Sequence, residues 1–118
     1  MATITPVITY APDGNRNAVL VSWSLANGDD GAPYKGFGII DGSVQVQGTF
    51  GAGGSVQMEL SNDGTNYQLA ADPQGTDVVK TSADLETLLD IVGRQIRPRV
   101  TAGDGTTALV VTLYAVRR

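Results

Sequence analysis

Between Val44 and Phe50 apolar and polar residues alternate. Val44, Val46 and Phe50 fall on one side of an extended chain, and Gln45, Gln47 and Thr49 fall on the other. The alternation resumes with Val56, Met58 and Leu60 against Gln57 and Glu59, after the turn-forming Gly51-Ala52-Gly53-Gly54. Residues 43–60 therefore predict a β-hairpin with one buried and one wet face. A second hairpin is predicted directly after it, turned by Asn62-Asp63-Gly64-Thr65-Asn66, with residues 67–70 as its return strand.

Three more strands are expected. Residues 18–25 set Val21, Trp23 and Leu25 on one side, with Trp23 read as core. Residues 95–101 set Ile96, Pro98 and Val100 against Gln95, Arg97, Arg99 and Thr101; Pro98 cannot donate to a ladder, which suggests an edge or a bulge. Residues 106–116 contain Leu109-Val110-Val111, a run that fits burial on both faces, a central place in a sheet, or a subunit contact. One helix is predicted over residues 82–92, capped by Ser82, with Leu85, Leu88, Leu89 and Val92 at helical spacing and Gly93 as its stop.

Asp-Gly pairs stand at 13–14, 30–31, 41–42, 63–64 and 104–105. Asp bonds to the backbone that follows it and Gly accepts positive φ, so the five pairs read as tight turns between strands. The fold expected is all-β, an antiparallel β-sandwich or jelly-roll/barrel with one short helix, in a single domain over residues 1–118. Residues 27–36 are dense in turn residues and are expected to form the most mobile loop. Residues 1–12 carry Ile4, Val7, Ile8 and Tyr10 and read either as an ordinary first strand or as an extended arm that docks on a partner.

Composition narrows the chemistry. The chain has 118 residues, enough for its own core, and 42% hydrophobic with 17% charged residues sets it apart from disordered chains. It has no Cys and no His, which excludes disulfides, thiolate metal sites, cysteine nucleophiles, His-based triads and His-containing zinc sites. Ten of the twelve acidic residues are Asp, mostly in expected turns, and the Gly51–Gly54 run lacks the Lys-Ser/Thr of a phosphate-binding loop. Asn27, Asp29 and Asp30, like Asn62 and Asp63, could offer oxygens to Ca²⁺, but their spacing is not that of an EF-hand and they read as turns. A non-enzymatic chain with no cofactor is the expectation.

A net charge of −4 disfavours nucleic acid and anionic membranes as partners. No run is long enough to span a membrane, and residues 1–6 lack the pattern of a signal peptide, so a soluble protein made in the cytoplasm is expected. Five of the eight basic residues, Arg94, Arg97, Arg99, Arg117 and Arg118, fall in the last 25 positions, as a solvated face or as an edge that meets an acidic protein. Tyr34, in the 27–36 loop, is a further contact candidate. Together with Trp23 and Tyr67 it could instead form a sugar-stacking platform.

Two stretches carry a resemblance. Residues 56–67 (VQMELSNDGTNY) with Asp72-Pro73-Gln74-Gly75-Thr76, and residues 96–107 (IRPRVTAGDGTT) with the apolar strand and Arg117-Arg118 after it, resemble small structural proteins of tailed bacteriophages, some of which decorate or cement the capsid. The likeness covers about half of the chain, from residue 44 onward, and mostly concerns turns. It implies a homo-oligomer, trimer or dimer, that binds the major capsid protein on the virion surface after synthesis in the bacterial host. The partner-contact candidates are then Ile4, Val7, Ile8, Tyr10, Tyr34, Arg97, Arg99, Arg117 and Arg118. The same Ser-Asn-Asp-Gly-Thr-Asn-aromatic turn also resembles discoidin-like and galactose-binding-like carbohydrate modules, although Tyr67 stands where those have Trp. That second resemblance implies a tail-fibre or baseplate module.

Overall fold

The computed structural model describes residues 2–35, 39–88 and 95–117. Two short strands, β1 (Thr3–Ile4) and β2 (Val7–Tyr10), lead through a 3-10 turn at Pro12–Gly14 into β3 (Ala18–Ala26). There follow β4 (Asp30–Gly31), β5 (Ile39–Thr49), β6 (Ser55–Ser61), β7 (Gln68–Leu69), β8 (Val79–Lys80), β9 (Asp84–Leu88), β10 (Gln95–Ala102) and β11 (Ala108–Arg117).

The strands form two sheets. A six-stranded sheet has the order β1-β4-β10-β6-β7, with β8 also on β6; a five-stranded sheet has the order β2-β3-β11-β5-β9. From β3 onward the pairing is nested: β3 with β11, β4 with β10, β5 with β9, and β6 with β7 and β8. This is one long hairpin, its tip at Asn62-Asp63-Gly64, rolled up so that β11 also meets β5 and β10 also meets β6. The result is a jelly-roll, which places two sheets face to face around one core.

The inward side chains fill that core. Val21, Trp23 and Leu25 of β3, Val44 and Val46 of β5, Val56 and Met58 of β6, and Val111 and Leu113 of β11 are all buried. The Trp23 indole N–H donates to the Ala32 carbonyl at 2.9 Å, tying the five-stranded sheet to the segment after β4. Gly31 lies so close that a Cβ there would sit 2.6 Å from Trp23 and from the Pro98 ring.

The strand expectations for residues 18–25, 95–101 and 106–116 match β3, β10 and β11. β11 is central between β3 and β5, but only one of its faces is buried, since Val110 is 41% exposed. β10 is not an edge. Ile96 and Val100 donate toward Tyr34 and Asp29, on the β4 side, so the N–H that Pro98 lacks is missing from the side where only two-residue β4 pairs. A register irregularity does occur, between Val100 and Ala102.

Several expectations are corrected. Residues 43–60 are not a hairpin: β5 and β6 lie in opposite sheets, and residues 50–54 turn the corner between them. Both strands bury one face in the shared core, so alternation looks the same in either arrangement. Of the Asp-Gly pairs, 13–14 and 63–64 turn hairpins, 104–105 turns from one sheet to the other, and 30–31 and 41–42 lie inside β4 and β5. The described part of the expected 82–92 helix is a strand: Asp84–Leu88 pairs with β5 over five positions. Pairing covers an edge of eleven-residue β5, and that outweighs a weak helical spacing. Leu88 is buried while Leu85 is 65% exposed, which no single helical face would give. Residues 89–92 lie outside the described set.

The 27–36 stretch, expected to be a mobile loop, is woven into the sheet where it is described. Asp30 N–H donates to Ala2, Ala32 N–H to Ile4, and Tyr34 exchanges two bonds with Ile96. Residues 3–10 pair with both sheets, β1 in parallel with β4 and β2 antiparallel with β3.

Turn carboxylates hold the ends of the roll. Asp63 accepts the backbone N–H groups of Asn66 and Thr65 and the Asn66 amide. The Asp104 carboxylate accepts the Thr106 hydroxyl and the Ala52 and Thr106 N–H groups, stitching two corners. Asp72 accepts the N–H groups of Thr76 and Gln74. These bonds hold all three carboxyls below the usual carboxylate range: through the Asn66 N–H first for Asp63, the Thr76 N–H for Asp72 and the Thr106 hydroxyl for Asp104.

Such groups contribute stability above the unfolded carboxyl pKa of about 4, and that contribution is lost as pH falls from there through the folded values. Urea midpoints should therefore be flat from about pH 7 to 5 and fall below about pH 4. Asp63→Asn should lower the neutral midpoint and make the acid-side fall shallower. Gly31→Ala should cost about 2 kcal/mol in the same assay, through overpacking against Trp23.

Candidate functional site

The outer face of the six-stranded sheet carries a compact charged network. β10 and β6 run antiparallel with Arg97 opposite Glu59 and Arg99 opposite Gln57. Period-2 alternation sends these side chains outward while Pro98 and Met58 face the core. Arg97 Nε donates to Glu59 Oε1 at 3.0 Å, and its Nη1 reaches Asp30 Oδ2 at 3.4 Å. The guanidinium lies 3.7 Å above the Tyr67 ring, a cation–π contact. The Tyr67 hydroxyl donates to Gln95 Oε1 at 2.8 Å. Glu59, 4% exposed, also accepts Gln57 Nε2 at 2.6 Å and lies 3.7 Å from Arg99 Nη1.

Such a network braces strands more than it offers chemistry. Each Glu59 oxygen already accepts a hydrogen bond, and the Arg97 side chain is 20% exposed with its charge answered by two carboxylates. The Arg99 side chain, 51% exposed, is the more accessible cation. A second ion-pair group joins Lys80 to Asp84 and Glu86 between β8 and β9. It holds the Lys80 ammonium above its ordinary range, through Glu86 first. The pairing of Arg97 with Glu59 was hidden in the sequence, because the strands that bear them are 38 positions apart.

The other contact candidates separate. Val7, Ile8 and Tyr10 lie on β2, the terminal strand of its sheet, and are 71%, 38% and 60% exposed. Ile4 is partly buried against the core. Tyr34 is buried at 6% exposure, which corrects its reading as a loop contact: its backbone bridge to Ile96 draws the residue into the sheet. Arg117 stands at the end of β11, in register with Ile39, and Arg118 lies outside the described residues. The structure thus brings Arg97 and Arg99 together on one face and Val7, Ile8 and Tyr10 together on one edge.

The aromatics weighed as a sugar platform are dispersed. Trp23 and Tyr34 are buried and Tyr67 lies under Arg97. Asp29 and Asp30, weighed as Ca²⁺ ligands, are engaged elsewhere. The Asp29 oxygens accept the Ala2 and Ala26 N–H groups, and Asp30 takes the Thr3 hydroxyl and Arg97. Among the described residues no three acidic side chains gather as a metal-binding group, and no helix is long and apolar enough to cross a membrane. Two open depressions, of about 230 and 380 Å³, touch the five-stranded sheet near Tyr114 and near Val110.

No protein-family model matches the chain, and no curated protein matches it. Solved structures do match its fold. A cupin domain from Bordetella pertussis Tohama I superposes with a TM-score of 0.53 at 14% identity, over 99% of this chain and 96% of that one. The fold is a cupin-like β-sandwich. The SPBc2 prophage-derived protein YomS superposes with a TM-score of 0.59 at 10% identity, over 84% of this chain and 94% of that one. At these identities the likeness concerns fold alone.

Glu59→Ala should destabilise the protein by about 3 kcal/mol in urea denaturation, because it leaves the largely buried Arg97 guanidinium without its main acceptor. Arg99→Ala, at the exposed end of the same network, should cost less than about 1 kcal/mol.

Proposed function

We propose that this chain is a virion structural protein of a tailed bacteriophage, non-enzymatic, that decorates the capsid by binding the major capsid protein. The observation that carries the reading is the β2 edge. Val7-Ile8-Thr9-Tyr10 is terminal in its sheet, exposed and uncharged. Soluble proteins usually blunt such an edge with charge, Lys above all. An edge left adherent can add to a neighbour's sheet, with main-chain bonds giving affinity and alternate side chains giving fit. The jelly-roll architecture recurs in viral capsid domains as well as in lectins and cupins, and the prophage origin of one fold neighbour supports a phage setting. The turns at residues 62–66 and 103–107 add the resemblance to decoration proteins.

Purified protein mixed with expanded heads that lack it should co-sediment saturably, in copies comparable to the major capsid protein, and should raise the temperature at which the heads rupture. Val7→Lys with Tyr10→Lys should weaken attachment at least tenfold while shifting the protein's own melting temperature by only a few degrees. Both residues are exposed, and surface substitutions change stability little. Heads that bind nothing, or that rupture at the same temperature when fully decorated, overturn the reading.

A further inference from the structure

The outer face of the five-stranded sheet carries no Asp, Glu, Lys or Arg across its outward register positions from Ala26, Ala108 and Thr49 down to Leu20, Tyr114 and Ser43. Outward positions of the flanking strands continue this composition, Val7 and Thr9 on β2 and Leu85 and Thr87 on β9. The first ionisable residue in register is Asp41, opposite Val116 at the end of the face. Apolar side chains stand among small polar ones: Val110 is 41%, Tyr114 36%, Leu85 65% and Val7 71% exposed. The opposite face of the sandwich, by contrast, carries Asp30, Glu59, Arg97 and Arg99.

From this we infer that the outer face of the five-stranded sheet is a self-association surface, on which a second copy of this chain packs face to face across a two-fold axis. The first argument is charge. Two copies of a chain with net charge −4 repel, and a surface without ionisable groups lets them meet with neither like-charge contact nor buried unpaired charge. Interface cores are depleted of charged residues, and this face carries none at those positions. The second argument is area. Three strands of nine to eleven residues flanked by strands of four and five give a face of roughly 600 Å², of the order of the ~800 Å² per partner that a stable interface buries.

The third argument is relief. The depressions lie toward the two ends of this face, one lined by Ser43, Thr87 and Tyr114 and the other by Ser24, Ala108 and Val110. The two most exposed large apolar side chains among the described residues, Leu85 and Val7, stand on the flanking strands. A two-fold contact is self-complementary, so projections at the margins of one copy can meet hollows of the other. Asp29, which lines the second hollow, is 7% exposed and both its oxygens already accept backbone N–H groups. Two sheets packed this way stack at the ~10 Å spacing of a sandwich. The geometry points to a dimer.

Sedimentation equilibrium of the purified chain tests this. The wild type should be a dimer, and Val110→Lys, at an outward position of the central strand, should weaken dimerisation at least about a hundredfold by burying an unpaired charge in the interface, with an unchanged circular-dichroism spectrum. Arg99→Ala, on the other face, should leave the mass unchanged. A second measurement does not depend on how well the Lys variant folds. The chain has no Cys, so Thr112→Cys should give a disulfide-linked dimer on mild oxidation and Thr101→Cys, on the opposite face, should not. Three results overturn the inference. They are a monomeric wild type at 100 µM (a concentration on the order of ordinary protein–protein affinities), a mass indifferent to Val110→Lys, or cross-linking by the Thr101→Cys variant alone. A monomer that still decorates heads overturns the pairing and leaves the capsid reading standing.

Discussion

The fit of Trp23 against Gly31 and Pro98 is the constraint around which the sandwich closes. The indole is fully buried, and its N–H is satisfied by the Ala32 carbonyl across the gap between the sheets. A buried Trp contributes much apolar area but needs that partner. Close approach of the segment after β4 supplies it, and only a residue without a Cβ permits the approach at position 31. Pro98 completes the contact at no cost in hydrogen bonds to β6. It faces Met58, whose own backbone bonds run the other way, to Ala70 and Val78. One packing contact thus accounts for a glycine inside a strand and a proline inside a sheet.

A rolled hairpin asks much of its turns, because its first and last strands must meet across about ninety residues; Ser22 and Thr112 face each other 90 positions apart. Closing such distances costs chain entropy before contacts repay it. The acidic residues serve there. Asp29, Asp63, Asp72 and Asp104 each direct their carboxylates onto backbone N–H groups in turns or where strands begin. Those four carboxylates are thereby committed to turns and strand ends, and the outward register positions of the five-stranded sheet from Ala26 and Thr49 to Leu20 and Ser43 carry none.

Strands were legible where alternation was strong, in residues 18–25, 44–50, 56–60, 95–101 and 106–116, because burying one face imposes a period of two whatever the partner strand. The sheet to which a strand belongs leaves no such mark, so β5 and β6 looked like a hairpin. Asp-Gly was legible as a turn only where the chain also reversed; at 30–31 the pair serves the Trp23 contact and an ion pair with Arg97. Leu85 and Leu88 had helical spacing, but the open edge of β5 decided the outcome. Tyr34 misled because turn residues surround it while its backbone pairs with Ile96. The Arg97–Glu59–Tyr67 network had no local signal at all, being made by register between strands distant in sequence.

One buried cluster joins the two sheets, and on the proposed function the protein acts through its surface, where two regions of the described residues stand out. One is an uncharged edge and the other an uncharged face, and both belong to the same five-stranded sheet. On the proposed pairing the face is consumed by a second copy, which leaves two β2 edges on one rigid body. Attachment through both edges converts the second contact into an intramolecular one, and affinities that are modest singly then multiply without any new contact. A lattice of repeated subunits presents the matched spacing that such a body requires, whereas a soluble monomeric partner could engage one edge only. On these two proposals the neutral face and the uncharged edge are parts of one arrangement, in which pairing would set the geometry and the edge would set the partner.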